Sequence, residues 1–130
     1  YRIEIPAPPN APGNLGQFRQ NGQTAIAVGD TTALTTQATV VFKANLTDPN
    51  ASDQIRLEVE VRPVAVAFSD TATAPGSTLV ANGGTAQVSV TGLPKGNYHW
   101  QARAVDQSGR SSPWVSFGGN AETNTDFGVQ

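Results

Sequence analysis

The residues of this chain that could do chemistry are few, and most are oxygen acceptors. There is one histidine, His99, and no cysteine. The absence of Cys excludes thiol catalysis, zinc–thiolate sites and a disulfide framework. A general base needs a hydrogen-bonding partner and a cleft. His99 alternates with Gln101 and Arg103 on a polar strand face, which supplies neither, so it reads as a surface histidine. Asp48-Pro49-Asn50-Ala51-Ser52-Asp53 is an oxygen-rich run that follows a strand. Closely spaced Asp and Asn suit calcium, which takes 6–8 oxygen ligands. The run lacks the Asp-x-Asp-x-Asp-Gly spacing and closing Glu of a known calcium loop. Asx residues also make turns unaided, so a plain turn is the first reading of Asp48, Asn50 and Asp53 and a calcium site the second. Asp106 and Asp126 are too distant in the chain for sequence to join them to that set.

Asn45-Leu46-Thr47 and Asn50-Ala51-Ser52 both have the form of glycosylation acceptors. Asn50, in a loop, is expected to be the better acceptor of the two. Tyr98, Trp100, Trp114 and Phe117 are close in sequence and could present rings to a sugar. Tyr98 and Trp100 share the apolar face of one strand, which assigns them to a core. Trp114, just after Pro113, is left as the ring expected to contact a ligand. Asp126-Phe127-Gly128 spells a kinase magnesium motif, but no glycine-rich loop, catalytic loop or lysine strand accompanies it.

The elements that position these residues follow from the period of the pattern. Over residues 54–62, Ile55, Leu57, Val59 and Val61 alternate with Arg56, Glu58, Glu60 and Arg62. Strict alternation is the pattern of an antiparallel strand with one buried face and one solvated face. A one-residue slip would bury four charges, so the register is strongly set. Residues 37–46 alternate likewise and direct Phe42 inward. Residues 98–104 point Tyr98, Trp100, Ala102 and Ala104 one way and His99, Gln101 and Arg103 the other. Further strands are expected over 15–20, 24–28, 64–68 (an edge strand), 78–80, 85–91 and 126–130. Gly29-Asp30, Asn82-Gly83-Gly84, Gly92 to Gly96 and Gln107-Ser108-Gly109 punctuate them. No helical period occurs anywhere.

Residues 1–5 also alternate, with Tyr1, Ile3 and Ile5 on one side. Four prolines then fall within residues 6–13, which favours an extended, semi-rigid spacer. Two parts are therefore expected: residues 1–13 as an N-terminal strand and Pro-rich linker, and 14–130 as the domain proper. Tyr1, Ile3 and Ile5 have no evident home in that domain, which marks them for assembly by strand addition to a neighbour. Phe127 and Val129 echo their spacing and suggest a tandem arrangement, in which one module's last strand takes the place of the next one's first.

Leu93-x-x-Gly96-x-Tyr98, followed by Arg103, Ala104 and the Gly109 turn, resembles the corner and following strand of fibronectin type III domains. It is also similar to the immunoglobulin-like repeats of bacterial and archaeal surface proteins. The resemblance implies a tyrosine corner, with the Tyr98 hydroxyl bonded to backbone near Leu93. It is good over residues 85–117, loose over 37–62 and absent at both ends. Where a fibronectin domain has a Trp early in the fold, this chain has Phe42.

Length and composition agree with a sandwich. The 130 residues suffice for one core that folds without metal or disulfide. Eight Lys plus Arg against ten Asp plus Glu leave a net charge of −2, with no basic patch for nucleic acid. No apolar run approaches the ~20 residues of a membrane helix. The chain has no Met, so Tyr1 is no translational start and a longer parent is expected. The expected fold is all-β, a Greek-key antiparallel sandwich of roughly three and four strands, fibronectin type III-like, with the extra N-terminal strand and linker. The expected role is a non-catalytic structural or adhesive module of a secreted or cell-surface protein: a spacer, stalk or filament unit whose partners are neighbouring modules or subunits. The alternative is an accessory module that binds polysaccharide for a larger enzyme.

Overall fold

The computed structural model describes residues 5–119 and 121–130. Tyr1 and Ile3, two of the expected assembly residues, lie outside the described residues. Nine strands follow in order: β1 (Gly13–Phe18), β2 (Asp30–Leu34), β3 (Ala38–Asn45), β4 (Gln54–Pro63), β5 (Val80–Ala81), β6 (Thr85–Leu93), β7 (Gly96–Asp106), β8 (Val115–Ser116) and β9 (Phe127–Val129). One sheet runs β1-β3-β6 and the other β2-β9-β7-β4-β5, with β8 also paired to β7. The described residues contain no helix. The fold is an all-β sandwich.

The alternating patterns decide its core. β4 and β7 pair antiparallel from Ile55 opposite Asp106 to Pro63 opposite Tyr98. This register aims Ile55, Leu57, Val59 and Val61 inward with Tyr98, Trp100, Ala102 and Ala104. From the opposing sheet come Val40, Phe42 and Ala44 of β3 and Ala86, Val88 and Val90 of β6. Trp100 sits among them, fully buried. Its ring lies 4.5 Å from that of Phe42 and stacks at 4.7 Å on Phe117. Its indole N–H, which burial obliges to find an acceptor, donates to Gln17 Oε1 at 3.0 Å. Leu93 is buried at the end of β6, and the Tyr98 hydroxyl donates to the Pro94 carbonyl at 2.6 Å.

Four expectations are corrected. First, residues 24–28 form no strand; Ala25 makes only an isolated bridge to Phe18. The strand lies instead at β2, and it pairs parallel to β9, so this sheet is mixed. Its Thr31 and Thr32 are exposed and only Leu34 is buried, so it carries no apolar alternation to read. Gly128 of β9 permits the close approach: a Cβ there would meet the Thr31 Cα at 2.9 Å.

Second, residues 64–68 are a turn and irregular backbone rather than an edge strand. The chain then doubles back along β4. Thr73 and Ser77 donate backbone N–H groups to the Val59 and Leu57 carbonyls. Their side-chain hydroxyls accept from the Val61 and Leu57 amides. Two hydroxyls thus stand in for ladder partners and close an edge that would otherwise invite foreign strands.

Third, that return path covers the face expected to be solvated. Glu60, His99 and Gln101 are all buried. His99 is no surface histidine: its ring stacks on Phe68 at 4.0 Å, with Nδ1 3.0 Å from Glu122 Oε1 and Nε2 2.7 Å from the Val66 carbonyl oxygen.

Fourth, β9 is not left over for a neighbour. Phe127 and Val129 are buried in their own core, with Phe127 stacked on Tyr98 at 5.3 Å. The proline-rich segment is tied down as well. The Asn10 N–H donates to the Thr47 carbonyl, Ala7 N–H to Asn50 Oδ1, and Asn50 Nδ2 to the Ile5 carbonyl. Pro9 and Pro12 are buried.

Candidate functional site

Two buried carboxylate centres flank β4 and β7. The first surrounds Glu60, which faces Gln101 across the strand pair. The Glu60 carboxylate accepts from the Ser69 and Asp70 amides, the Ser69 hydroxyl, Arg62 Nε and Gln101 Nε2, at 2.8–3.1 Å. Burial by itself raises a carboxyl's pKa. Here the hydrogen bonds from Ser69, Arg62 and Gln101 outweigh it and hold Glu60 down to about 2. Apart from Arg62 on the same strand, the donors come from the covering loop and from Gln101 on the adjacent strand, so the centre fastens loop to sheet.

The second centre lies where the loop after β3 meets the turn after β7. Leu46 is buried and anchors the loop. Asn82 clamps it, accepting from the Asp48 N–H and donating to the Asp48 carbonyl. Asp48 Oδ1 accepts from the Asn50 amide at 2.8 Å, an Asx turn. Across the gap, Asp106 Oδ1 caps the turn after β7, accepting from the Ser108 and Arg110 amides at 2.9 Å. Gly109, at φ 88°, supplies the left-handed residue that turn requires. Gln107 bridges the two loops: its Nε2 donates to Asp53 Oδ1 and its Oε1 accepts from the Gln54 amide.

These connections bring Asp48, Asp53 and Asp106 together, with one oxygen of each within 4.8 Å of the others. Asp48 and Asp106 are buried and Asp53 is half-buried. The Asp48 Oδ2 atom is buried without a hydrogen-bond donor. Burial pushes the Asp48 carboxyl up; the Asn50 amide opposes this, and the negative charges of Asp53 and Asp106 add to it. Arg110 Nη1, 3.3 Å from Asp106 Oδ2, places a positive charge beside the set. Beside the carboxylates opens a cleft of about 200 Å³ lined by Pro6, Asn50, Asp53, Gln107, Ser108 and Arg110. An all-oxygen set of this kind suits a hard cation rather than a nucleophilic reaction.

Of the three residues in the calcium reading of the sequence, Asp48 and Asp53 meet, while the Asn50 amide is engaged by the N-terminal segment. Both ends of the Asn50 amide are taken by Ala7 and Ile5. Asp106 takes the third place. The sign that could have found it is register: a paired 54–62 strand and 98–106 strand put Asp106 opposite Ile55, two residues from Asp53. Asp126 stands elsewhere and accepts from the Trp100 amide.

The other candidates are dispersed. Trp114 is half-buried, with the Arg103 guanidinium 4.8 Å from its ring centre. Arg103 is in turn held by Glu58 at 2.8 Å. Asn45 is exposed whereas Asn50 is buried, which reverses the expected order of the two glycosylation acceptors. The Ile5 side chain is 81% exposed. No helix among the described residues is long and apolar enough to cross a membrane.

The two facing sheets and their shared core define an immunoglobulin-like β-sandwich. Among solved structures, the chain is similar to the PKD domain of an M14-like peptidase from Thermoplasmatales archaeon SCGC AB-540-F20. The two are 25% identical, the match covers 87% of this chain and 94% of that one, and the TM-score is 0.51. No family model matches the chain. No curated protein matches it.

Proposed function

We propose that this chain is a non-catalytic structural module of a larger extracellular or cell-surface protein, a fibronectin type III-like spacer or stalk unit that meets neighbouring modules or subunits through its N-terminal strand. The observation that carries the reading is the match over nearly the whole of a domain that is itself one part of a peptidase. Two features of the chain support it. The Glu60 and His99 clusters are spent on holding a loop to a sheet. The segment from Ile5 to Asn10 is bonded along the loop after β3, and Ile5 itself is exposed to solvent. Fold alone does not assign a role, and the proposal rests on these features together. The polysaccharide alternative needs coplanar exposed rings, and none of the described aromatic side chains is among the large exposed hydrophobics.

The test is the mass in solution of the full chain and of one beginning at Ile5, which keeps the docked segment and removes Tyr1 and Ile3. Dimers or higher species for the full chain, with a monomer for the shorter one, are the expected result. A full chain that stays monomeric at high concentration sinks assembly through the N-terminal strand.

A further inference from the structure

We propose that Asp48, Asp53 and Asp106 bind a single calcium ion at the end of the sandwich where the N-terminal segment is docked. This goes beyond the structural role argued above and stands or falls independently of it.

Three observations carry the site. The first is spacing. One oxygen from each carboxylate lies within 4.8 Å of the other two. Oxygens bound to one calcium at roughly 2.3–2.6 Å are at most about twice that distance apart. The second is the Asp48 carboxylate, which is only 6% exposed and whose Oδ2 has no donor. Turn formation accounts for Asp48 Oδ1, bonded to the Asn50 amide, and for Asp106 Oδ1, bonded to the Ser108 and Arg110 amides. It does not account for Asp48 Oδ2, and a buried acceptor left bare is costly. A cation among the three carboxylates satisfies it. The third is charge. Among the described residues of the site, the Arg110 guanidinium beside Asp106 offsets one of three negative charges, and the two that remain match a divalent ion.

The donor chemistry selects the ion. All three side chains offer oxygen, no cysteine is present, and His99 is not a member of the cluster. That excludes a soft, thiolate-type site and favours a hard cation. Calcium also tolerates the irregular arrangement that two loops provide, whereas magnesium demands near-octahedral geometry at about 2.0–2.1 Å. The adjoining cleft, lined by Asp53, Gln107 and Ser108 among others, gives access and room for the water ligands that complete the shell. The ion would tie the loop after β3 to the turn after β7. Through Asn50 it would also steady the segment that carries Ile5.

The test is calorimetric titration of the purified chain with CaCl2 and with MgCl2, with thermal melts in CaCl2 and in EDTA. One calcium per chain is expected, with weaker magnesium binding. At a hundredfold excess over Kd the melting temperature should rise by on the order of 10 °C. Asp53→Asn and Asp48→Asn should each weaken calcium binding roughly tenfold or more while melting no lower than the parent chain in EDTA. Amide resonances of Asp53 and residues 107–110 should move on titration, which locates the ion without any substitution. No binding heat and no melting shift at 10 mM CaCl2 would overturn the site. So would full affinity in both variants, and magnesium binding as tightly as calcium would overturn the choice of ion.

Discussion

Glu60 and Asp48 are both carboxylates removed from water, and their surroundings are opposite. Glu60 is fully buried and receives five donors from a loop, an arginine and the neighbouring strand. Asp48 receives one amide and faces two further carboxylates. The first is held at a pKa of about 2; the second is pushed above its ordinary value. Burial is common to both, so burial does not decide whether a carboxylate works as a fastener or as a ligand. The donors do. Where the chain supplies N–H groups, the negative charge is used to order a loop. Where it supplies more carboxylates, the charge is left for something positive.

The sharpest way to break this comparison is to remove each carboxylate in turn. Glu60→Ala leaves the Ser69 and Asp70 amides and Gln101 Nε2 without their acceptor, and urea unfolding at pH 7 should show a loss of about 3–5 kcal/mol. A loss below about 1 kcal/mol would mean the network orders nothing. The pH dependence sharpens the same point. Glu60 has a folded pKa below its ordinary 4.5, so its contribution is full above that value and fades as the pH falls toward about 2. Unfolding measured from pH 7 down to pH 2 should reveal a loss of about 3 kcal/mol from this group, and Glu60→Gln should flatten that part of the curve. Tyr98→Phe provides a scale for one neutral bond, from the Tyr98 hydroxyl to the Pro94 carbonyl, and should cost about 1 kcal/mol. Asp48→Asn, in EDTA, should have the smallest effect and the opposite sign. A carboxyl whose folded pKa is raised stabilises only at low pH, and that contribution is lost as the pH rises through the raised value. At pH 7 its removal should leave the protein unchanged or up to about 1 kcal/mol more stable. Equal losses from Glu60→Gln and Asp48→Asn would erase the distinction between the two centres.

The same contrast separates what was legible in the sequence from what was not. Alternation at 54–62 and 98–104 placed Leu57, Val59, Tyr98 and Trp100 in the core, because a period of two names a face without needing to know its partner. The fibronectin-like corner placed the Tyr98 hydroxyl near Leu93, and it bonds to Pro94. Alternation could not say that the other face of those strands is covered as well. Glu60, His99 and Gln101 look solvated because they are polar, and they are buried because residues 64–77 supply donors, acceptors and a Phe68 ring from outside the pattern. Two of the three carboxylates of the acidic site were legible as an Asx-rich run. Asp106 was not, since it reaches Asp48 and Asp53 only through long-range pairing of β4 with β7.

The position of β9 bears on how such a chain comes to be folded during synthesis. Phe127–Val129 lies between β7 and β2, so a strand from the first quarter of the chain joins its sheet only through residues near position 130. Domains on the ribosome generally fold as units, and long-range pairings form slowly. Until β9 has emerged, β2 has no strand to pair with and Tyr98 lacks the Phe127 ring on which it stacks. A nascent chain stalled before residue 127 would hold most of the core sequence without a closed sheet. Commitment to the native state is thereby deferred until residues 127–129 have been made.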